Sequence, residues 1–241
     1  MDPAFMGDVF LQLIGGVPLM LQLAATSLCL GFVLAVLVAF ARLSRLAPLR
    51  AAAGGYIFLF RGTPLLVQIF LIYYGLGQFP EVRQSFLWPF LRQPYWCAIL
   101  ALTLNTGAYG AEIIRGGLQS VPWGQVEAAR ACGMSGILLM RRIVLPIALR
   151  QALPAYGSEM ILMVKATSLA SIVTLMEVTG IAHRLISETF RAIEVFVVAG
   201  AIYLTVNFLI TRLVRRLEWR LSPHLRDAPR STSAASAALV H

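Results

Sequence analysis

Of the 241 residues, 59% are hydrophobic and only 13% are charged, and the mean hydropathy is +0.77. Soluble domains carry about a quarter charged residues, so the composition excludes an ordinary soluble domain and points to a chain that crosses a membrane repeatedly. The formal charge is +9, from 20 basic and 11 acidic residues; the arginines fall in a few loops where they can set topology, so the excess does not imply nucleic acid.

A crossing needs roughly 20 mostly apolar residues. The first predicted span is 17–40. It is too long for a signal peptide, and Arg42 and Arg45 follow it rather than precede it. Residues 46–60, "LAPLRAAAGGYIFLF", fit an interfacial helix leading into the second span. That span, 56–78, contains "FLFRGTPLLVQIFLIYYGLG"; Pro64 removes a backbone donor and Gly62 loosens the helix beside it, which predicts a break. Broken helices can turn backbone groups toward a solute, though a proline-capped start of the span explains the same residues. Trp88, Tyr95 and Trp96 read as an interfacial aromatic belt. The third span, 95–114, is "YWCAILALTLNTGAYGAEII"; the fourth, 152–174, includes "GSEMILMVKATSLASIV"; the fifth is 194–214. The tail 226–241 is small and polar and is expected to be disordered. No internal repeat is visible, so residues 1–225 are expected to form one membrane domain.

Arginines crowd the loop after span one (Arg42, Arg45, Arg50), the loop after span three (Arg115, Arg130, Arg141, Arg142, Arg150) and the C-terminal segment from Arg212 onward. The alternate loops hold only Arg83 and Arg92, or Arg184 and Arg191, together with Glu81 or Glu188. Five spans with this bias predict an outside N-terminus and a cytoplasmic C-terminus.

Covalent chemistry is not expected. There is no GxxxxGK[ST] loop, so no ATP or magnesium is expected on this chain. His183, His224 and His241 lack metal-ligand spacing, and Cys29, Cys97 and Cys132 are isolated.

The cytoplasmic stretch 120–146 needs a different explanation. Ser120 can cap a helix with Pro122 in its first turn, Val121 to Cys132 reads as that helix, and Gly133 can take the left-handed conformation that ends it. Ser135 can cap a second short helix through Leu139, before Pro146 starts the return to lipid. Ala128, Ala129 and Ala131 leave a surface another protein can approach, and Glu127 complements the helix dipole. On physics alone, a docking loop and an ordinary helical loop are equally good readings.

Ionisable groups inside spans are functional hypotheses by default. Glu159 and Lys165, the only lysine, are six residues apart in span four, about 120° around a helix. They can reach opposite ends of a zwitterion, Glu159 accepting from a cationic group and Lys165 meeting a carboxylate. Otherwise they face a partner subunit or snorkel to an interface. Gln22, Asn105, Thr106 and Asn207 are adequately explained as helix-to-helix hydrogen-bonding groups. Glu112 is placed to contact the cytoplasmic helix, and Glu177 to belong to an outer gate.

Glu127-Ala128-Ala129, Gly133, Ile143 and Leu145-Pro146 fall at the spacing of the EAA motif, and the chain resembles membrane subunits of ABC importers. "RGTPLLVQIFLIYYGL", "LTLNTGAYGAEIIRGGLQSVPWGQ" and "ILMVKATSLASIV" are similar to the polar amino acid branch, and "MEVTGIAHRLISETFRAIEVF" to subunits for basic amino acids and for octopine or nopaline. The resemblance implies an all-α type I importer fold with about five spans and a cytoplasmic coupling helix in a bacterial inner membrane. It also implies two ATPase subunits holding ATP and magnesium, a second permease chain, homologous or identical, and a periplasmic solute-binding protein. The coupling residues it implies are Glu127, Ala128, Ala129 and Gly133. The solute site it implies includes Thr63, Leu66, Glu159 and Lys165, with Ser158 where the related segment usually has Asn. Arg61 is expected at a boundary or gate. The competing reading is a subunit of a channel or of an ion-gradient-driven amino acid permease.

Overall fold

The computed structural model describes residues 2–221, and these form twelve α-helices with no strand among them. The predicted tail 226–241 lies outside the described residues. Helix α1 (Pro3–Ile14) opens under the Asp2 carboxylate, which accepts from Ala4 N at 3.1 Å. The Gly15-Gly16 pair separates it from α2 (Val17–Leu43). The two form a 41-residue apolar run. At 1.5 Å per residue that is about 60 Å, twice a hydrocarbon core. The 27 residues of α2 suffice to cross, and α1, which the predicted first span omitted, extends past it.

Helix α3 (Ala47–Gly62) and α4 (Leu65–Phe70) meet at Thr63-Pro64. The chain continues from α4 through a π turn and a 3-10 turn to Gln78, and the two arms of this second span bend by 105°. The predicted break is therefore real, and the arm before it starts at Ala47, so 46–60 falls almost wholly within α3, one arm of a bent pair that together passes the length and hydropathy of a span. Two short helices, α5 (Pro80–Arg83) and α6 (Trp88–Leu91), lead to α7 (Pro94–Gln119), longer than predicted at both ends. Trp96 stacks edge-on against Tyr95 and Phe90.

Helix α7 is the hub. It packs against α2, α3, α4 and α10 (Leu145–Ala166). Its buried face is built of small residues, among them Ala101, Ala108 and Ala111, which let helix backbones approach closely in lipid. The closest approach is at Gly31 of α2, where a side chain would run into the methyl of Thr106.

The cytoplasmic segment holds α8 (Trp123–Ala131) and α9 (Gly136–Leu139), joined to α10 through a π turn at Met140–Val144. Helix α8 is shorter than the predicted Val121 to Cys132, and its N-terminus differs. Pro122 is the N-cap, and Ser120 instead ends α7, donating to Gly117 O at 2.8 Å. Its Ser hydroxyl is consumed by the preceding helix because α7 runs on to Gln119. Helix α10 passes through a 3-10 turn, Thr167–Val173, and bends 48° into α11 (Val178–Thr189). Helix α12 (Ala192–Leu221) is the last of the described elements. The described residues thus hold three helices able to cross a membrane, and up to five crossings if each bent pair is one span.

Candidate functional site

The break at Thr63-Pro64 faces α10 across α7. Between them lies a groove of about 660 Å³ whose polar lining includes Arg61, Thr63, Asn105, Tyr109, Glu159 and Lys165. Three of the sequence-predicted solute residues, Thr63, Glu159 and Lys165, therefore meet at one groove. Leu66 and Ser158 are not on it. Leu65 takes the place expected of Leu66, and Ser158 is exposed, donating back to Pro154 O of its own helix at 3.2 Å.

Glu159 is 6% exposed, and its Oε1 accepts from the Thr106 hydroxyl at 2.7 Å. Its Oε2 accepts no hydrogen bond from another described residue, so one carboxylate oxygen is held and one is left to a ligand. Thr106 is thus more than helix-to-helix adhesive: it aims the carboxylate. Lys165, in the last turn of α10, is exposed and forms no ion pair among the described residues. The lining carries two cations, Arg61 and Lys165, and one anion, Glu159, which suits a solute with a carboxylate and a separate cationic group. Arg61 lies over the Tyr109 ring, 5.0 Å from its centroid. Arg61 and Tyr109 are shared with an adjoining groove of about 430 Å³ that also reaches Arg42 and Glu112, so Arg61 stands at the boundary between two compartments.

Sequence reasoning missed Gln68. It is 5% exposed at the bend, and its Nε2 donates to Phe60 O (2.9 Å), Thr63 O (3.0 Å) and Thr63 Oγ1 (2.9 Å). Asn105 Nδ2 donates to Gln68 Oε1 at 3.1 Å and to Phe60 O at 3.3 Å. The signal was available: a lone amide four residues past a helix-breaking proline in an otherwise apolar run.

Two acidic residues have other roles than expected. Glu112 grips Arg115 one turn on, at 2.6 Å, rather than the cytoplasmic helix. Glu177 is fully buried as the N-cap of α11; its Oε1 accepts from Gly180 N at 3.0 Å and its Oε2 from the Tyr203 hydroxyl at 2.7 Å. Its Oε1 caps α11 and its Oε2 ties that helix to α12, so both oxygens are engaged inside the fold.

At the cytoplasmic segment, Glu127 and Ala128 are exposed on α8, while Ala129 turns inward against Val126 and Leu139. Gly133 has φ +79°; its N–H bonds Arg130 O at 2.9 Å, and Met134 N bonds Ala129 O at 3.0 Å. This pair of bonds is a Schellman ending, which needs a left-handed residue at this position. Trp123, stacked by Arg130 at 5.5 Å, and Ile137 are also exposed in this segment.

A broken span, a charged groove at the break and a helical segment exposed between two spans together define a polytopic membrane permease component. The chain belongs to the family described as binding-protein-dependent transport system inner membrane component, whose model matches residues 17–223. It is 62% identical over 226 residues to the octopine transport system permease protein OccM of Rhizobium radiobacter, covering 94% of this chain and 92% of that protein. It is 40% identical to the arginine ABC transporter permease protein ArtM of Haemophilus influenzae, over 86% of this chain and 90% of that one. Among solved structures, an amino acid ABC transporter crystallised with histidines superposes with a TM-score of 0.81 at 33% identity, covering 91% of this chain and 99% of that one. The architecture is the type I ABC importer permease fold, and the chain is an inner-membrane component.

Proposed function

We propose that this chain forms the translocation path of an ATP-driven importer for a basic amino acid or an opine. What carries the reading is the groove at the broken span, where Glu159 and Lys165 present opposite charges beside Thr63. A solute's ammonium or guanidinium group meets Glu159, and its carboxylate meets Lys165 and Arg61. Ser158 and Leu66 join the set where a second permease chain, homologous or identical, closes over the groove. The names of the octopine and arginine relatives point to the same solute chemistry.

The transport cycle uses two ATPase subunits, which hold ATP and magnesium, and a periplasmic binding protein that delivers the solute. Residues 120–146 couple the ATPases to the spans, with Glu127 and Ala128 at the contact, Ala129 seating the helix from behind and Gly133 setting its end. Residues 1–225 act as one membrane domain with the N-terminus outside and the C-terminus in the cytoplasm.

Reconstitution with the cognate ATPase and binding protein in proteoliposomes tests the reading. Uptake of L-arginine or octopine should require ATP, and Glu159→Gln should lower it about tenfold, the size expected when a charged hydrogen-bonding partner is lost, with complex assembly unchanged. Uptake driven by an ion gradient without ATP would overturn it.

A further inference from the structure

The bend between α3 and α4 leaves the backbone carbonyls from Leu59 to Thr63 without their helical donors, and three of them are met by side chains. The Phe60 carbonyl would accept from residue 64, but Pro64 has no N–H. The Thr63 carbonyl would accept from Val67, whose N–H instead bonds Pro64 O at 3.0 Å. The Leu59 carbonyl would accept from the Thr63 N–H, and is met by the Thr63 hydroxyl at 2.8 Å. Carbonyls shielded from water cannot be left unpaired without cost, and side chains serve those of Leu59, Phe60 and Thr63. Gln68 serves Phe60 and Thr63, sharing two hydrogens among three acceptors, and Asn105 supplies a second donor to Phe60.

Asn105 is also the neighbour of Thr106, which holds Glu159. Two consecutive residues of α7 therefore tie down the two walls of the groove: Asn105 the broken span, Thr106 the carboxylate. We propose that Gln68 and Asn105 are positioning residues that lock the 105° break in register with Glu159, and so set the spacing between the Thr63–Arg61 wall and the anionic wall. Gln68 acts from behind: it is buried and is not on the groove lining. The effect on solute rests on the function proposed above; the effect on the bend does not.

The test uses the assembled transporter in lipid nanodiscs, with spin labels at Phe58 and Leu71, two exposed positions on the two arms. Electron–electron resonance should give one narrow distance in the parent and a broadened, shifted one in Gln68→Leu. Equilibrium binding of L-arginine and of octopine to the same samples should weaken about tenfold, the scale of one buried polar group left unpaired. Asn105→Leu should act in the same direction, and the double variant should fall short of the sum of the two, because both serve the Phe60 carbonyl. If Gln68→Leu does not assemble, the Asn105→Leu distances decide. An unchanged distance distribution overturns the proposal, as does a changed bend with undiminished solute binding. Failure of the parent to bind either solute would sink the solute assignment alone, leaving the bend to be judged by its distances.

Discussion

The Glu159 carboxylate is held in place through a residue on another helix that has no side chain. Its Oε1 is held by Thr106, and the Thr106 methyl occupies the space over Gly31. Even a methyl at position 31 would force Thr106 aside, since α2 and α7 are already at their closest there. Gly31→Ala is therefore expected to reproduce much of the transport defect of Glu159→Gln although it lies two contacts away. The check is solute uptake in the Gly31→Ala and the Gly31→Ala/Thr106→Ala proteins. The double variant removes the clashing methyl and should recover assembly but not the aimed carboxylate. Sequence spacing alone could identify Glu159 and Lys165, because ionisable groups in apolar spans stand out. It could not tell Leu65 from Leu66, because a helix interrupted at Pro64 restarts its angular phase after the break, and Ser158, implied by the resemblance alone, turns back onto its own helix at Pro154.

Among elements, α8 shows how a short helix is made rigid. It has only nine residues, too few for intrinsic stability. Its order comes from the Schellman ending at Gly133 and from Val126, Ala129 and Leu139 buried together. Gly133→Val should cost about 1–2 kcal/mol from the left-handed conformation alone and blur the docking surface, read as ATPase activity no longer stimulated by the loaded binding protein. Glu127→Lys, on the exposed face, should uncouple in the same assay without loss of thermal stability; normal stimulated hydrolysis in both variants would remove this segment from the coupling role. The motif spacing made the loop, its turn and its return to lipid legible. The start of α8 was misread because Ser120, the expected cap, is taken by the longer helix α7, which leaves Pro122 as the cap. The inward turn of Ala129 depends on α9 folding back, which no local pattern encodes.

For the whole molecule, the spans were readable from hydropathy because lipid demands long apolar runs, but their bends and partners were not. The hub position of α7 comes from small residues whose value lies in what approaches them. Likewise α1 was invisible as a separate unit, yet Val9 and Leu13 are 1% and 0% exposed, packed within one cluster with Val178, Leu185 and Val195 of α11 and α12. Arg191, just before α12, bonds Glu194 at 2.7 Å, approaches Asp2 at 3.8 Å and lies 3.9 Å over the Phe5 ring. Leu13→Ala should destabilise the fold by about 2–5 kcal/mol through the void it leaves, lowering the melting temperature of the detergent-solubilised complex. Arg191→Ala should cost far less, since exposed ion pairs contribute about 0–1 kcal/mol. A larger loss from Arg191→Ala than from Leu13→Ala would show that the clamp is electrostatic instead.

That clamp sets a timetable for biogenesis. Helix α1 rests against α12, so its apolar stripe has no seat until α12 has been translated and inserted. During that interval Val9 and Leu13 must be sheltered by lipid or by the insertion machinery, and a chain truncated before α12 leaves α1 undocked and open to proteolysis.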